Sequence, residues 1–187
     1  VSYDPDGAKK LLEESGWTDT DGDGYMDKDG QKLSINWLTY PTRLEQPKLA
    51  EYAQATLKDI GIDVQVNNTS DHRTFAENGE FDVYVSSVTT APTGDPEYFF
   101  TSTVTGSKNY GNYQNEEVTK LTDQLHQTFD KDERGKLAIE LQQHILDDDA
   151  YFFVSHLNMG IVTKSNVKGM AAHPCDYYEI TADLDVE

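Results

Sequence analysis

The 187-residue chain is long enough for one domain with a substantial core, and 36% hydrophobic with 26% charged residues is the composition of a soluble globular protein. Fifteen basic against 34 acidic side chains leave a net charge of −19, which repels phosphate backbones and anionic lipid head groups and argues against nucleic-acid binding or membrane adsorption. No run approaches the about 20 consecutive apolar residues that span a bilayer, and a single Cys175 without a CxxC pair excludes an internal disulfide and argues against thiol–redox chemistry.

The opening residues VSYDPDGAKKLL run straight into a helix and lack the basic flank and apolar core of a signal peptide, so an exported protein would carry its signal and anchor upstream. Asp4 suits the N-cap and Pro5 the first helical position; Ala8, Leu11 and Leu12 share a face, and Gly16 supplies the stop. An acidic, glycine-rich loop follows from Asp19 to Gly30, then a strand from Leu33 to Thr39. After Tyr40-Pro41 the spacing predicts a helix from Pro47 to Ile60, with Leu49, Ala50, Ala53 and Leu57 inward and Gly61 at its end. The segment IDVQV from Ile62 alternates strictly, as a strand does. Strand, helix and strand with tight joints predict a βαβ unit, hence a parallel sheet with a right-handed crossover.

A short helix is expected between Asp71 and Gly79. FDVYVSSV, from Phe81 to Val88, is almost wholly apolar or small and reads as a central strand. The loop TTAPTGDP comes next, with Asp95 placed to cap the following helix and Tyr98 and Phe99 to pack beneath it. Two longer helices are expected beyond. One is capped by Asn115 and carries Val118, Leu121, Leu125 and Phe129 in one stripe; the other opens with Asp130 and Glu133 in a reciprocal cap and carries Leu137, Leu141 and Ile145. YFFVSH and GIVT read as two closing strands, and the tail through DYYEITADLDVE as extended chain. With no repeat, low-complexity tract or long linker, residues 1–187 read as a single α/β domain with a mainly parallel central sheet flanked by helices.

In an open α/β sheet ligands bind beyond the carboxyl ends of the strands. That rule selects two loops: Tyr40–Arg43 after the first strand, and Thr89–Asp95 after the most buried-looking one. Both mix hydroxyls with proline, and the second adds glycine, so donors and acceptors sit on a stiffened backbone. The candidate ligand-binding residues are Tyr40, Arg43, Thr89, Thr90, Pro92, Thr93, Asn109 and Tyr113. Arg43 can grip a carboxylate bidentately or form a solvated salt bridge to Glu45 or Glu51. Asn109, Tyr110, Asn112 and Tyr113 form an aromatic–amide cluster suited to small-molecule recognition, although a tyrosine there can equally pack on the helix starting at Asn115.

In the acidic loop, Asp19, Asp21, Asp23, the carbonyl of Tyr25 and Asp27 occupy the first, third, fifth, seventh and ninth positions of an EF-hand-like register, with Gly24 at the turn. The twelfth position, normally a bidentate glutamate, is Gly30. A weak structural calcium site and a metal-free hairpin closed by Asx turns both explain the pattern. No cofactor is required. His72, His126, His144, His156 and His173 show no close metal-binding spacing, and no nucleophile elbow or phosphate loop appears, so an enzyme is not expected. Cys175 precedes Asp176, the wrong neighbour for a stabilised thiolate. The alternative to a solute receptor is a calcium-dependent adhesion or scaffolding module built on the Asp19–Asp29 loop.

The succession YDPDGAKKLLEESGW, DTDGDGYMDKDG, LTYPTR, ATLKDIGIDVQV, FDVYV, APTGDPEYFF and NYGNYQNEEV resembles the family 5 solute-binding proteins, the peptide- and nickel-type receptors of ABC importers. Members of that family are bilobal and much longer, and they often carry a similar acidic loop. The resemblance implies that this chain is a periplasmic-binding-protein-like C-terminal lobe, a fragment without its N-terminal lobe. It further implies capture of a small solute between two lobes and delivery to an ABC permease in the membrane. The implied location is extracellular, as a cell-surface lipoprotein or free in a periplasm. Peptide receptors of the family place an aspartate where this chain has Pro92, which argues towards a metal chelate over a short peptide. Nickel-type receptors use a histidine before the aromatic–amide cluster; here that segment is Ser107, Lys108 and Asn109, and a chelate held through its organic ligand needs no protein histidine.

Overall fold

In the computed structural model Asp4 opens the first helix, α1 (Pro5–Glu14), by accepting the Gly7 amide at 2.9 Å. The helix closes at Gly16, whose φ of 87° lets the Trp17 amide reach back to the Leu12 carbonyl at 2.9 Å. The expected apolar face is only partly used, since Leu11 is 65% exposed. The structure describes residues 3–158, 160–173 and 180–187; Cys175 and most of the DYYEI segment lie outside them. The chain divides into two compact units, residues 1–87 and 88–187.

In the first unit, β1 (Asp27–Lys28) and β2 (Gln31–Lys32) form an antiparallel hairpin. Its two-residue turn is Asp29-Gly30, with φ of 53° and 76°, the primed geometry that suits the twist of a hairpin. The hairpin is tied to the sheet by the buried Met26, whose amide donates to Gly61 O and whose carbonyl accepts from Leu33 N, both at 2.7 Å. Gly61 is needed there twice over: its φ is 84°, and a Cβ would sit 2.8 Å from Met26 Cγ.

The βαβ unit forms as its pattern predicts. β3 (Ser34–Thr39), α2 (Glu45–Lys58) and β4 (Asp63–Asn68) give a parallel pair in continuous register from Ser34↔Asp63 to Thr39↔Asn68. Leu38, Ala50 and Val64 are fully or almost fully buried at its centre. α3 (His72–Glu77) then leads to β5 (Val83–Tyr84), and the sheet order is β4-β3-β5, all parallel.

The Phe81–Val88 strand is therefore corrected. It pairs over two residues only, at an edge, and β3 is the central strand. With one neighbour and none on its far side among the described residues, the segment leaves the ladder after Val85 N meets Leu38 O, and residues 86–88 are exposed.

The second unit is built on helices. α4 (Glu97–Phe99) continues into a π-helical turn, Phe100–Val104, and α5 (Glu116–Gln127) and α6 (Lys131–Asp147) pack against each other around Val118, Leu121, Leu125, Leu137, Leu141 and Ile145. Asn115 and Asp130 cap as expected, each accepting two backbone amides. Two expectations fail. Glu133 does not complete a reciprocal cap but pairs with Lys136 at 2.6 Å. Phe129 lies beyond the end of α5 and is 92% exposed, because the helix stops at Gln127 and the carbonyls of Leu125 and Thr128 are taken by Arg134.

YFFVSH and GIVT form no strands; Phe152 and Val162 stand exposed, with no ladder partner among the described residues. Among the described residues beyond α6, β6 (Val167–Lys168) pairs with β7 (Asp185–Val186), antiparallel.

Candidate functional site

The corner that leaves β3 is held by aromatic groups. Tyr40 is 6% exposed, accepts the Ser87 amide on its hydroxyl at 3.1 Å, and stacks on the His72 ring with centroids 4.0 Å apart. His72 Nδ1 lies 2.6 Å from the Tyr84 hydroxyl, and burial, with Arg73 nearby, pushes its pKa down. Tyr40 thus ties the end of β3 to the chain leaving β5. One acceptor site of its hydroxyl is used within the fold.

Arg43 sits differently. It is exposed and, among the described residues, takes part in none of the ion pairs, so of its two readings the bridge to Glu45 or Glu51 does not form. Around it in sequence, Thr39 Oγ1, Glu45 Oε1 and Gln46 Oε1 are buried and have no hydrogen-bond partner, and α2 starts at Leu44 without a side-chain cap. Buried polar atoms are nearly always paired, by ordered water where the protein supplies no donor.

In the second unit, Ala91 to Gly94 forms a tight turn in which Gly94 N donates to Ala91 O at 3.0 Å, with Pro92 second and Gly94 at φ 78°. Thr89, Thr90 and Thr93 are exposed, and Pro92 is half-buried. Asp95 follows the turn and caps as expected, accepting Glu97 N at 2.9 Å.

Its larger role comes from Arg134, in the first turn of α6. Arg134 Nε and Nη2 donate to the two oxygens of Asp95 at 2.9 and 2.6 Å, and Nη2 also reaches Glu97 Oε2 at 2.8 Å. Nη1 donates to Leu125 O and Thr128 O at 2.7 and 2.6 Å. Five hydrogen bonds match the five N–H donors of a guanidinium. Arg134 holds the Asp95 and Glu97 carboxyls below the usual carboxylate range, and His126, 2.6 Å from Glu97 Oε1, adds to the effect on Glu97. Thr93, Tyr98, His126 and Phe129 border an open hollow over this cluster.

Sequence reasoning does not single out Arg134. The available signal was a cation in the first turn of a helix, where the dipole opposes it and a tertiary partner is needed.

Asn109 and Tyr113 close their own loop: Asn109 Nδ2 donates to Tyr113 O at 2.8 Å, and Tyr113 N to Asn109 Oδ1 at 3.0 Å. The Tyr113 hydroxyl donates to Asp148 at 2.6 Å; burial and that carboxylate raise its pKa to about 12. Both residues stabilise the approach to α5. Tyr40–Arg43 belongs to the first unit, and Thr89–Asp95, Asn109 and Tyr113 to the second.

The acidic loop brings three of its five expected ligands together: single carboxylate oxygens of Asp19, Asp21 and Asp27 lie within 4.8 Å of one another. Asp23 is committed to Lys32 at 2.5 Å, which lowers its pKa. Asp19 accepts the amides of Gly22 and Gly24, Asp21 that of Asp23, and Asp23 that of Tyr25, so the loop closes through Asx turns. Gly30 sits in the hairpin turn and offers no side chain. This donor set falls short of the six to eight oxygens calcium usually takes.

Residues 1–111 match the family description "Bacterial extracellular solute-binding proteins, family 5 Middle". The oligopeptide-binding protein AppA of Bacillus subtilis is 31% identical over 185 residues, covering 95% of this chain and 34% of AppA. A solved structure of AppA in complex with a nonapeptide superposes with a TM-score of 0.81 at 30% identity, over 95% of this chain and 36% of that one. The structure of NikA from Staphylococcus aureus in complex with Ni(L-His)2 gives a TM-score of 0.77 at 25% identity, over 100% and 38%. The chain spans about a third of the length of these relatives. They are named as binding proteins, not enzymes, and among the described residues no helix is long and apolar enough to cross a membrane. With the family matched across more than half of its residues and the fold shared along nearly all of them, the chain belongs to the bacterial extracellular solute-binding proteins, family 5.

Proposed function

We propose that the chain is part of the substrate-binding component of an ABC importer. It captures a small solute in a cleft that the N-terminal lobe of the same protein completes, and the loaded receptor docks on a membrane permease outside the cytoplasm. The observation that carries this reading is Arg43, exposed and in no ion pair among the described residues, in the loop that leaves the carboxyl end of the central strand. A guanidinium without a protein partner suits a solute carboxylate, which short peptides and amino-acid metal chelates both carry. Relatives named for a peptide and for nickel–histidine support those two solute classes. Pro92, in place of the aspartate that would hold a peptide amino terminus, favours the chelate. In the second unit, Thr89 and Thr90 before the Ala91–Gly94 turn and Thr93 within it present exposed hydroxyls of their own.

The test is mass spectrometry of small molecules that copurify with the full-length receptor, followed by calorimetry with the solute identified. Arg43→Ala is expected to weaken binding about tenfold or more, the size of a lost charge-assisted bidentate contact of at least about 1.4 kcal/mol, with an unchanged melting temperature. Equal affinity in wild type and variant removes the β3 corner from the site.

A further inference from the structure

We infer that Arg134, which touches no solute itself, is the positioning residue for the binding turn Ala91–Gly94. The inference rests on the receptor reading above only in calling that turn a binding element. Three observations carry it.

First, Asp95 is the residue immediately after the turn, and both of its carboxylate oxygens are held by one guanidinium at 2.9 and 2.6 Å. A bidentate pair fixes direction as well as distance. The chain at Asp95 is therefore pinned against rotation, and Thr93, two residues earlier, projects from a fixed base. Second, the guanidinium is itself immobile. Its remaining donors are spent on Glu97 and on the carbonyls of Leu125 and Thr128 at the end of α5, and its side chain is 14% exposed. The turn is thus referenced to the α5–α6 pair, the most buried part of this unit. Third, among the described residues nothing else of that strength holds the turn: within it there is the Gly94–Ala91 backbone bond, and Asp95 otherwise accepts one amide, that of Glu97.

With every donor occupied, Arg134 has none left for a solute carboxylate, so its influence on binding must act through the turn. A lysine there would keep the charge but lose the fork, since an ammonium cannot hold both oxygens of Asp95 in a plane while also bridging two carbonyls.

The test is hydrogen–deuterium exchange with mass spectrometry on the full-length protein at pH 7, comparing wild type, Arg134→Lys, Asp95→Asn and Leu141→Ala. Arg134→Lys is expected to speed exchange of the amides of Gly94 and Glu97 at least tenfold while residues 116–127 and 131–147 exchange as in wild type. Asp95→Asn, which keeps shape and an acceptor for Glu97, should give a smaller acceleration confined to the same segment. Leu141→Ala, a cavity in the helical core, should speed the two helices and leave the turn alone. Equal acceleration of turn and helices in Arg134→Lys, or none in the turn, overturns the inference. If Arg134→Lys fails to fold, the Asp95→Asn profile decides by the same criterion. Because the readout needs no solute, a failure here is distinct from a failure of the receptor reading, which shows as absent binding with normal exchange.

Discussion

At the β3 corner Arg43 is exposed and unpaired among the described residues, and the polar atoms near it in sequence are buried without partners. At the α4 corner Arg134 is covered, and each of its five donors meets an acceptor on the protein. The same side chain is left unspent in one place and fully spent in the other. A spent guanidinium contributes to folding and rigidity, since it joins two carboxylates to carbonyls at a helix end. An unspent one contributes little to stability and keeps its full bidentate capacity for a ligand. Proximity to a loop does not tell a binding arginine from a structural one; the state of its donors does.

The largest expected effect follows from this difference. Arg134→Ala removes five hydrogen bonds, leaving Asp95 with the Glu97 amide, Glu97 with His126 and the Leu125 carbonyl with the Thr128 amide. Breaking a buried pair costs about 3–5 kcal/mol, and with Asp95 41% and Glu97 23% exposed, water recovers part of it, so a loss of about 2–3 kcal/mol is expected. Arg43→Ala, at an exposed unpaired site, should stay within about 0.5 kcal/mol of wild type. Urea unfolding of the three proteins checks both, and similar midpoints for the two variants would erase the distinction between the arginines.

A smaller effect should appear on the acid side. Arg134 holds the Asp95 and Glu97 carboxyls below their ordinary values. For carboxylates depressed in the folded state, the stabilisation is complete above their unfolded pKa values of about 4 and is lost as pH falls through the lower folded values. Wild type should therefore lose stability from about pH 4 downwards. Arg134→Ala has less of that contribution to lose and should show a flatter profile between about pH 5 and 3, whereas Arg43→Ala should follow the wild-type slope. Parallel acid limbs for wild type and Arg134→Ala would mean that the pair contributes nothing in solution.

Much of the fold was legible because local signals agreed. Asp4, Asn115 and Asp130 cap the helices they were expected to cap, and the alternation of IDVQV placed β4 beside β3 in the expected parallel sense. What failed depended on neighbours that a local pattern does not contain. FDVYVSSV is apolar enough for a central strand, but whether it is central depends on a second flanking strand, and YFFVSH and GIVT likewise have no ladder partner among the described residues. The site divides in the same way. The strand-end rule selected the Tyr40–Arg43 and Thr89–Asp95 loops as candidates, yet it gave no means of seeing that the Tyr40 hydroxyl accepts the Ser87 amide, or that Asn109 and Tyr113 bond to each other. Arg134 was illegible because its acceptors lie at sequence separations of 39, 37, 9 and 6 residues.

The acidic loop is a third case of donors and acceptors already spent, and it gives the smallest expected effect. Asp23 is engaged by Lys32, whose ammonium also lies 4.3 Å from the Tyr25 ring centroid, and Asp19 accepts two loop amides. Calcium must displace those contacts and finds three converging carboxylates among the described residues, so its affinity should be no better than the about millimolar end of known sites. At 1 mM free calcium, taken as about equal to the dissociation constant, the stabilisation is RT ln 2, about 0.4 kcal/mol, or about 1 °C in melting temperature for a chain of this size. Lys32→Met keeps the aliphatic stem, removes the competing cation and frees Asp23, so its response to calcium should exceed that of wild type. A wild-type shift that saturates at micromolar calcium, unchanged by Lys32→Met, would show that the lysine is no competitor and that the loop is a metal site in its own right.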